Sequence, residues 1–297
     1  MKVVLIGANG QLGSDLHKTF QAAGDTVVPL VRAQLDICSP ARIYETLAYT
    51  APDVVISTAA FHNVEACEAK PDVAFQVNAT AAMGLAQACH RAGAILVHFS
   101  TDYVFGGDGK TTPYGETDRP APLNVYGASK VAGEYLIASQ TDRYFTVRVC
   151  GLYGIAGSSG KGGNFVANML KKALTGDRIQ VVDDQVVTPT YTVDLAEGVR
   201  TLVLTEKFGL YHLSSEGQCS WYEFARHIFE AARVGVSITP VKTVRPPGSL
   251  KRPAYSVLSK AKVRRLGVSM PSWDDALTRF LAERAQIEPS SAPVKVG

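Results

Sequence analysis

Two patterns of hydrophobic and polar positions alternate along the first half of the chain. Helical periodicity runs from Ser39-Pro40, with the serine as N-cap, to about Tyr49, and again from Pro71 to Arg91, ahead of Gly93. Short apolar, β-branched runs predict buried strands at 3–6, 26–31, 53–57, 94–100 and 145–149. This alternation predicts an α/β fold in which helices cover both faces of a parallel sheet. Because ligands of such sheets bind at the carboxyl ends of the strands, the residues that follow each strand are the candidates for function.

The first strand leads directly into a glycine-rich turn, Gly7-Ala8-Asn9-Gly10-Gln11-Leu12-Gly13, which is followed by a helical pattern. Glycines let the backbone turn tightly and approach a pyrophosphate, and the helix N-terminus offers free N–H groups and a positive dipole end. The spacing is Gly-x-x-Gly-x-x-Gly rather than the tighter Gly-x-Gly-x-x-Gly, and a plain tight turn is the alternative. Its position straight after the first strand favours a dinucleotide site.

Three later strand ends carry residues that suit the same site. Arg32 follows the second strand, where an acidic residue that would favour NAD is absent. The arginine is a candidate for the 2′-phosphate of NADP, and an exposed loop arginine is the alternative. The small residues in Thr58-Ala59-Ala60-Phe61 follow the third strand and allow a dinucleotide to approach closely. The hydroxyls of Ser100-Thr101 follow the fourth strand, beside a loop rich in Gly and Pro, and suit contact with a substrate.

Tyr126 and Lys130 stand four residues apart in a segment that predicts a helix, so their side chains share one face. An ammonium beside a phenol stabilises the phenolate and lowers its pKa from a reference near ~10. Such a tyrosine can exchange a proton with a carbonyl or an alcohol. The same spacing also occurs on amphipathic surface helices. Because the pair follows the glycine turn and Thr101 at one edge of the sheet, we interpret it as a proton donor with its tuning charge.

Composition and charge restrict the class of protein. The chain has 297 residues, of which 46% are hydrophobic and 19% charged, as in ordinary globular proteins. A net charge of +3 gives no reason to expect nucleic acid or a membrane as partner. The five cysteines lack a Cys-x-x-Cys pair, which favours reduced thiols. There is no signal peptide and no apolar run of ~20 residues, so we expect a cytoplasmic protein.

Motifs spread over most of the chain resemble the extended short-chain dehydrogenases/reductases, and within them the dTDP-4-dehydrorhamnose reductase family. The superfamily as a whole shares the glycine turn, Thr101, Tyr126 and Lys130. Three segments are more particular to the reductase family: Ser100-Thr-Asp-Tyr-Val-Phe105, Ser220-Trp-Tyr-Glu-Phe-Ala225, and Arg252-Pro253 with Ser256-Val-Leu258.

The resemblance implies a Rossmann-type doubly wound parallel sheet with a smaller mixed α/β substrate domain. The dinucleotide-binding domain would comprise 1–149 and 178–208, and the substrate domain 150–177 and 209–285, ahead of a disordered tail at 286–297. The implied reaction is reduction of the C4 ketone of dTDP-4-dehydro-L-rhamnose by NADPH or NADH, a step in polysaccharide precursor synthesis. Its partner would be the dTDP-sugar, and the protein would be a monomer or a homodimer.

The resemblance also assigns roles to residues. The catalytic residues would be Thr101, Tyr126 and Lys130. The residues expected to bind the cofactor are Gly7, Asn9, Gly10, Gln11, Leu12, Gly13, Arg32, Asp36, Ile37, Ala59, Ala60, Phe61, Asn78, Phe99, Tyr126 and Lys130. The residues expected to bind the substrate are Thr101, Asp102, Val104, Phe105, Lys161, Asn164, Phe165 and Arg252. Lys161 lies in a glycine-rich loop that suits a diphosphate, with a flexible linker as the alternative; for Arg252 the alternative is a surface arginine.

Some positions depart from the family pattern. Gly151 stands where many relatives carry a bulky aromatic residue near the sugar. Some members bind Mg²⁺ through glutamates; here the matching positions hold Asp15 and Val193, so no metal is predicted. Two other functions remain open, namely an epimerase or dehydratase acting on a nucleotide sugar, and a nucleotide-binding regulatory subunit like that of methionine adenosyltransferase. The second would predict a degraded Tyr-Lys pair, whereas both residues are present.

Overall fold

The computed structural model describes residues 1–157, 163–176, 178–244 and 246–287. Within these ranges the strands are β1 (Lys2–Ile6), β2 (Thr26–Leu30), β3 (Val54–Ser57), β4 (Ile95–Thr101), β5 (Tyr144–Val149), β6 (Leu152–Tyr153), β7 (Ile179–Val182), β8 (Val186–Val187), β9 (Thr190–Tyr191), β10 (Gly209–His212), β11 (Cys219–Ser220) and β12 (Ile238–Val241). The helices are α1 (Gln11–Ala22), α2 (Pro40–Thr50), α3 (Val64–Ala69), α4 (Pro71–Phe75), α5 (Ala81–Ala92), α6 (Val125–Ala138), α7 (Phe165–Thr175), α8 (Thr192–Leu204), α9 (Trp221–Ala231), α10 (Ala261–Arg264) and α11 (Trp273–Ile287).

The main sheet is parallel throughout. Its strands lie in the order β10-β5-β4-β3-β1-β2, and each neighbouring pair runs in the same direction. The predicted fold class is confirmed, and each of the five predicted strands belongs to this sheet with bounds within one residue of those expected. The chain moves outward in one direction from β1 to β2 and in the other through β3, β4 and β5. The carboxyl ends of β1 and β3 therefore flank the switch point at which such sheets bind ligands.

Helices with an apolar stripe cover both faces of the main sheet. On one face α1 and α8 bury Leu16 and Val199 against the strands. On the other face α2, α5 and α6 bury Ile43, Leu85 and Ile137. Because helices shield both faces, the central strands are apolar at almost every position, which is the pattern that predicts buried strands of a parallel sheet.

A second, smaller region is built from paired short strands and three helices. β7 pairs with β12, β8 with β11 and β6 with β9. Residues of α7, α9 and α11 share one buried cluster with Ile179 of β7, including Val166, Phe224 and Phe280. The strand pairing differs from the predicted division at two strands. β10 belongs to the main sheet, although it falls within 209–285, which were assigned to the substrate domain. β7 pairs in the smaller region, although it falls within 178–208, which were assigned to the dinucleotide-binding domain. Of the predicted tail, 286–287 end α11 and 288–297 lie outside the described residues.

The long helix predicted from Pro71 to Arg91 is interrupted. Between α4 and α5 the chain forms a π-helical turn over Gln76–Thr80, with Asn78 at its centre. π-turns of this kind often occur at functional sites. The predicted end is observed, because Gly93 adopts a left-handed conformation with φ +69° after α5. Ser39 occupies the N-cap position of α2, but its side chain makes no capping hydrogen bond.

Candidate active site

One cavity of about 730 Å³ opens at the carboxyl ends of the central strands. The main-sheet region contributes the glycine turn, the ends of β3 and β4, and the start of α6. The smaller region contributes residues from β6, α7, β7, α9 and the segment near 252. The predicted site residues that line the cavity are Gly10, Gln11, Leu12, Ala60, Phe99, Thr101, Asp102, Tyr126, Lys130, Asn164, Phe165 and Arg252.

The backbone of the glycine turn has the conformation that lets a pyrophosphate approach closely. Gly7 has φ +82°, and a Cβ atom there would lie 2.4 Å from Thr58 Oγ1. A Cβ atom on Gly13 would lie 2.1 Å from the carbonyl oxygen of Gly7, so glycine is required for α1 to pack this close to β1. The N-cap residue of α1 is Gly10, which has no side chain to cap the helix. The first N–H groups of α1 therefore present the anion-binding geometry that dinucleotide folds use.

Tyr126 reaches the end of β4 because α6 packs tightly against the turn that follows that strand. Asn124 begins the helix by accepting a hydrogen bond of 2.9 Å from the backbone N–H of Gly127. A Cβ atom on Gly127 would lie 2.2 Å from the carbonyl oxygen of Tyr103, so a larger residue would push the helix away. Tyr126 packs edge-to-face on Tyr103, with ring centroids 6.0 Å apart. This packing brings the Tyr126 phenol beside Thr101.

The charges of the Tyr-Lys pair differ from the expected arrangement. Burial raises the pKa of Tyr126, and a hydrogen bond with Thr101 opposes that shift. Lys130 was predicted to lower the pKa of Tyr126, but its Nζ instead lies 2.9 Å from His98 Nε2. Burial lowers the pKa of Lys130 to about 8, against the attraction of Glu134. The two side chains share the cavity, and a ligand placed between them would contact both.

Thr101 and Asp102 form a buried group that ties β4 to the C-terminal segment. Thr101 Oγ1 lies 3.2 Å from Asp102 Oδ1 and accepts a hydrogen bond of 3.2 Å from the backbone N–H of Tyr103. The other carboxylate oxygen of Asp102 accepts a hydrogen bond of 2.6 Å from Ser256 Oγ. Burial raises the pKa of Asp102. Asp102 lines the cavity, and both of its carboxylate oxygens have protein partners, so its predicted contact with the substrate stays a prediction.

Two further predicted substrate residues lie away from the cavity. Val104 and Phe105 are fully buried in a hydrophobic cluster with Leu258. Phe105 stacks on Tyr114 at 4.1 Å between centroids, and Arg148 lies 4.9 Å from its ring. Because the chain turns inward after Tyr103, these apolar side chains fill the core and do not line the cavity.

Several predicted cofactor residues do not line the cavity. Arg32 is exposed and lies 3.7 Å from Asp36, beyond the end of β2. Ile37 is buried in the core and Asn9 is exposed. Gly7, Gly13, Ala59 and Phe61 shape the surrounding backbone rather than the cavity wall.

Asn78, a predicted cofactor residue, does not line the cavity and lies in a supporting position beside it. It is buried in the π-turn, accepts a hydrogen bond of 2.9 Å from the N–H of Phe61, and donates to the carbonyl of Phe61 at 2.9 Å. It also donates to Ser129 Oγ of α6 at 3.0 Å. Asn78 therefore fixes the loop after β3 against the helix that carries Tyr126.

Asn164 connects the smaller region with the glycine turn. Its Oδ1 accepts a hydrogen bond of 3.0 Å from the N–H of Ala167 and caps α7. Its Nδ2 donates to Gly154 O at 2.8 Å and to Gln11 Oε1 at 3.1 Å. Gln11 in turn donates to the carbonyl of Leu152 at 3.1 Å. These bonds position α7, and the predicted contact of Asn164 with the substrate stays a prediction.

The outer wall of the cavity contains polar residues that the sequence motifs missed. Asn168 and Lys172 follow Asn164 at intervals of four residues, and that helical spacing was the available signal. His62, Gln180 and Gln185 also line the wall, and no local motif marks them. The remaining predicted cations differ: Arg252 lines the cavity and pairs with Glu65, whereas Lys161 lies outside the described residues.

Three further positions complete the description of the site, namely Trp221, Gly151 and Asp15. Trp221 packs on Phe165, with centroids 4.6 Å apart, and also lines the cavity. Gly151 lines the cavity, as its position predicted.

Asp15 is buried and accepts a hydrogen bond of 2.5 Å from Thr192 Oγ1. In the described ranges, no cluster of three or more His, Cys, Asp or Glu side chains could hold a metal ion. No helix in the same ranges is long and apolar enough to cross a membrane.

Comparison with known proteins gives consistent matches over nearly the whole chain. The model of the family described as RmlD substrate binding domain matches residues 1–286. The spore coat polysaccharide biosynthesis protein SpsK of Bacillus subtilis is 40% identical over 284 residues, which cover 96% of this chain and 98% of that protein. The dTDP-4-dehydrorhamnose reductase of Mycobacterium tuberculosis (strain H37Rv) is 38% identical over 292 residues, which cover 96% of this chain and 93% of that protein.

Solved structures agree with these relatives. The crystal structure of dTDP-4-dehydrorhamnose reductase from Bacillus anthracis in complex with NADP superposes with a TM-score of 0.89 at 38% identity, covering 95% of this chain and 98% of that one. UDP-glucose 4-epimerase from Thermus thermophilus, in complex with NAD, has a TM-score of 0.81 at 22% identity over 96% of this chain and 99% of that one. At that identity the likeness concerns the fold alone.

Proposed function

The chain belongs to the RmlD substrate binding domain family, and from this premise we propose that it is a dTDP-4-dehydrorhamnose reductase. The reaction is the NAD(P)H-dependent reduction of the C4 ketone of dTDP-4-dehydro-L-rhamnose to the alcohol. One observation carries the proposal: Thr101, Tyr126 and Lys130 line the same cavity as the glycine turn Gly10–Leu12. A carbonyl placed in that cavity is within reach of a proton donor and a hydride source together. The relatives that carry the reductase name support the substrate class.

The chain's own residues account for binding and for proton transfer. NAD(P)H supplies the hydride when bound. The first N–H groups of α1 would hold its pyrophosphate, and Lys130 would donate hydrogen bonds to the nicotinamide ribose. Tyr126 donates its phenolic proton to the oxygen that becomes the alcohol, and the Thr101 hydroxyl binds the same oxygen. Donors preset for a developing oxyanion each contribute about 3–4 kcal/mol to lowering a barrier.

The high pKa of the Tyr126 phenol suits this direction of reaction. Burial keeps the phenol protonated, so it is a donor at the pH of the cell. An ammonium brought close to the phenolate during turnover stabilises the charge that forms there. Lys130 can play this part only in its protonated form, which a pKa of about 8 leaves predominant at neutral pH.

The outer wall of the cavity offers cationic and amide groups for the nucleotide diphosphate. Lys172 and Asn168 on α7 line the cavity, as does Arg252. Arg252 pairs with Glu65, and both residues line the cavity. An incoming diphosphate would replace the Glu65 carboxylate as the partner of Arg252. Arg32, exposed beyond β2, remains our candidate for the 2′-phosphate of NADPH.

The direct test is oxidation of NADPH and of NADH, followed by absorbance, with dTDP-4-dehydro-L-rhamnose beside GDP- and UDP-linked keto sugars. We expect one mole of NADPH to be consumed per mole of dTDP-sugar, with the other sugars reduced more slowly. Turnover without net consumption of cofactor would indicate an epimerase or a dehydratase. Binding of NADPH with no reduction of any keto sugar would indicate a regulatory role.

Each of the five cysteines, all among the described residues, carries a thiol rather than a disulfide. This agrees with a reducing compartment, and we propose that the protein works in the cytoplasm on a small-molecule substrate.

A further inference from the structure

A row of polar side chains crosses the buried face of the main sheet beneath Lys130. Ser57, His98 and Thr146 are register neighbours on β3, β4 and β5. Register neighbours in a parallel sheet point to the same face, and His98 contacts Lys130 of α6, so the row lies under that helix. All three residues are at most 2% exposed.

Each member of this row has a polar atom without a hydrogen-bond partner among the described residues: Ser57 Oγ, His98 Nδ1 and Thr146 Oγ1. The next row toward the carboxyl ends is paired. Ser100 donates to Glu134, Arg148 Nε donates to Glu134 at 2.8 Å, and Arg148 lies 3.3 Å from His212 Nε2. Buried polar groups are rarely left unpaired, and three together are enough to bind an ordered water. The row of Ser57, His98 and Thr146 therefore differs from its paired neighbour and has the polar atoms needed to bind a water molecule.

The chemistry of the contact fixes the protonation of His98. Two buried bases 2.9 Å apart cannot both carry a positive charge at low cost. Burial, followed by the nearby Lys130 ammonium, holds the pKa of His98 well below its usual range, so the imidazole is neutral. A neutral imidazole that accepts a hydrogen bond at Nε2 carries its proton on Nδ1. That Nδ1–H is the group left unpaired between the hydroxyls of Ser57 and Thr146.

We propose that His98 is the positioning residue for Lys130: its Nε2 accepts one ammonium N–H, and a buried water shared by Ser57 and Thr146 accepts the Nδ1 proton and fixes the tautomer. The inference rests on the proposed function, in which Lys130 acts on the ribose and on Tyr126. With one N–H held by His98, the other two remain for groups in the cavity that Lys130 lines. The same bond favours the charged form of Lys130 against burial.

Two variants of His98 separate positioning from packing. His98→Leu removes the acceptor at similar volume, whereas His98→Gln keeps an amide oxygen at the reach of Nε2. We expect His98→Leu to lower kcat about 10-fold or more while KM for NADPH changes less than about 3-fold, because a positioned donor typically contributes on this scale. His98→Gln should recover kcat to within about 3-fold of wild type. Equal losses in the two variants, or none in either, would overturn the proposal.

The pH dependence of kcat would not change if His98 only filled space in the core. Among the titratable and charged groups near Lys130, His98 of β4 contacts it, and Glu134 of α6, which is bound to Arg148 of β5, attracts it. Tyr126 and Asp102 line the same cavity. The two variants change His98 alone. Loss of the acceptor should move the alkaline limb of kcat to lower pH by about one unit in His98→Leu, the size expected for a hydrogen bond to a charged group. A limb that stays in place in His98→Leu would count against the proposal.

A measurement without substrate keeps the inference independent of the reductase assay. In ¹⁵N-histidine NMR spectra of the wild-type protein, with the signal assigned by its loss in His98→Gln, His98 should be the neutral Nδ1–H tautomer from about pH 6 to 8. Thr146→Val removes one hydroxyl at the same shape and should speed exchange of the Nδ1 proton. An Nε2–H tautomer, or a titration near the usual pKa, refutes the contact. If no keto sugar is reduced, the proposed function fails, while these spectra still decide the state of His98.

Discussion

At the scale of single residues, the Tyr126 hydroxyl is the group on which the proposed chemistry depends most directly. Its surroundings explain its part: burial favours the protonated phenol, Thr101 is its hydrogen-bonding neighbour, and Lys130 shares its cavity. A proton donor that is protonated before reaction needs stabilisation only after the proton leaves. In the proposed mechanism that stabilisation comes from the Lys130 ammonium once it is brought close to the phenolate.

Tyr126→Phe should lower kcat by about 10²–10⁴-fold, the usual contribution of a positioned acid. The phenol contributes little to binding of the pyrophosphate end of the cofactor, so Kd for NADPH should stay near the wild-type value. Steady-state oxidation of NADPH and a fluorescence titration measure the two quantities. Tyr135→Phe on the same helix is the control, because Tyr135 is 64% exposed and faces away from the cavity. A Tyr126→Phe variant with wild-type turnover would end the mechanism.

Gly13→Ala should destabilise the protein and weaken NADPH binding, because the new Cβ would lie 2.1 Å from the carbonyl oxygen of Gly7. Overpacking of this kind costs about 1–3 kcal/mol and displaces α1 from the glycine turn. The matched control is Gly84→Ala in α5, where a Cβ meets nothing within 4 Å. That change should stabilise the helix by about 1 kcal/mol. Thermal unfolding with and without NADPH measures the stability of both variants. Equal changes in stability for Gly13→Ala and Gly84→Ala would contradict the packing argument.

At the scale of elements, α7 and α1 are joined through one amide. Asn164→Ala removes both the cap of α7 and the bond to Gln11, and should cost about 1 kcal/mol for the cap. Asn164→Asp keeps the capping oxygen but replaces the amide donor by an oxygen that faces Gln11 Oε1 and the carbonyl of Gly154. We expect the aspartate variant to retain α7, and both variants to bind NADPH more weakly. Circular dichroism reports on the capping of α7, and an NADPH titration reports on the bond between Asn164 and Gln11. An aspartate variant with wild-type affinity for NADPH would show that the bond to Gln11 is unimportant for binding.

Local signals predicted the elements of the main sheet because buried strands and helices with an apolar stripe each have a distinct period. The same signals predicted the glycine turn and the pair Tyr126 and Lys130. They failed where long-range packing decides the outcome. Phe105 follows Thr101 by four residues, yet the turn after β4 sends it into the core. His98 looked like part of an apolar run, and only the approach of α6 gives it a partner.

At the scale of the whole molecule, a buried chain of charged and polar groups runs across the sheet from α6 to β10. Glu134 binds Arg148 at 2.6 Å, Arg148 lies beside His212 Nε2, and His212 Nδ1 lies 3.1 Å from the carbonyl of Tyr114. Burial, with the Arg148 charge next in size, lowers the pKa of His212 to about 3. These linked side chains join α6, the main sheet and the loop at 114, so their protonation state affects the stability of the entire fold.

This arrangement predicts acid sensitivity with a definite sign. The folded pKa of His212 lies below the unfolded value, so the unfolded state gains a proton first as the pH falls below about 6.5. Stability from His212 is therefore present above that pH and lost below it, by about 2 kcal/mol between pH 7 and pH 5. His212→Gln should remove this share of the slope in urea unfolding, whereas exposed His90→Gln should not. Parallel pH profiles for wild type and His212→Gln would contradict the assignment.

The bond between Asp102 and Ser256 has a consequence for the order in which the protein is made. The strand end that carries Thr101 emerges from the ribosome long before its partner, since the two residues are 154 positions apart. Val257 and Ser259 also form backbone hydrogen bonds with Tyr114, at 2.9 and 2.7 Å. During synthesis the nucleotide half can collapse early, but the buried Asp102 carboxyl has no Ser256 hydroxyl until 256 of the 297 residues have been joined. A nascent chain halted short of residue 256 would therefore hold a formed sheet and an unfinished catalytic centre.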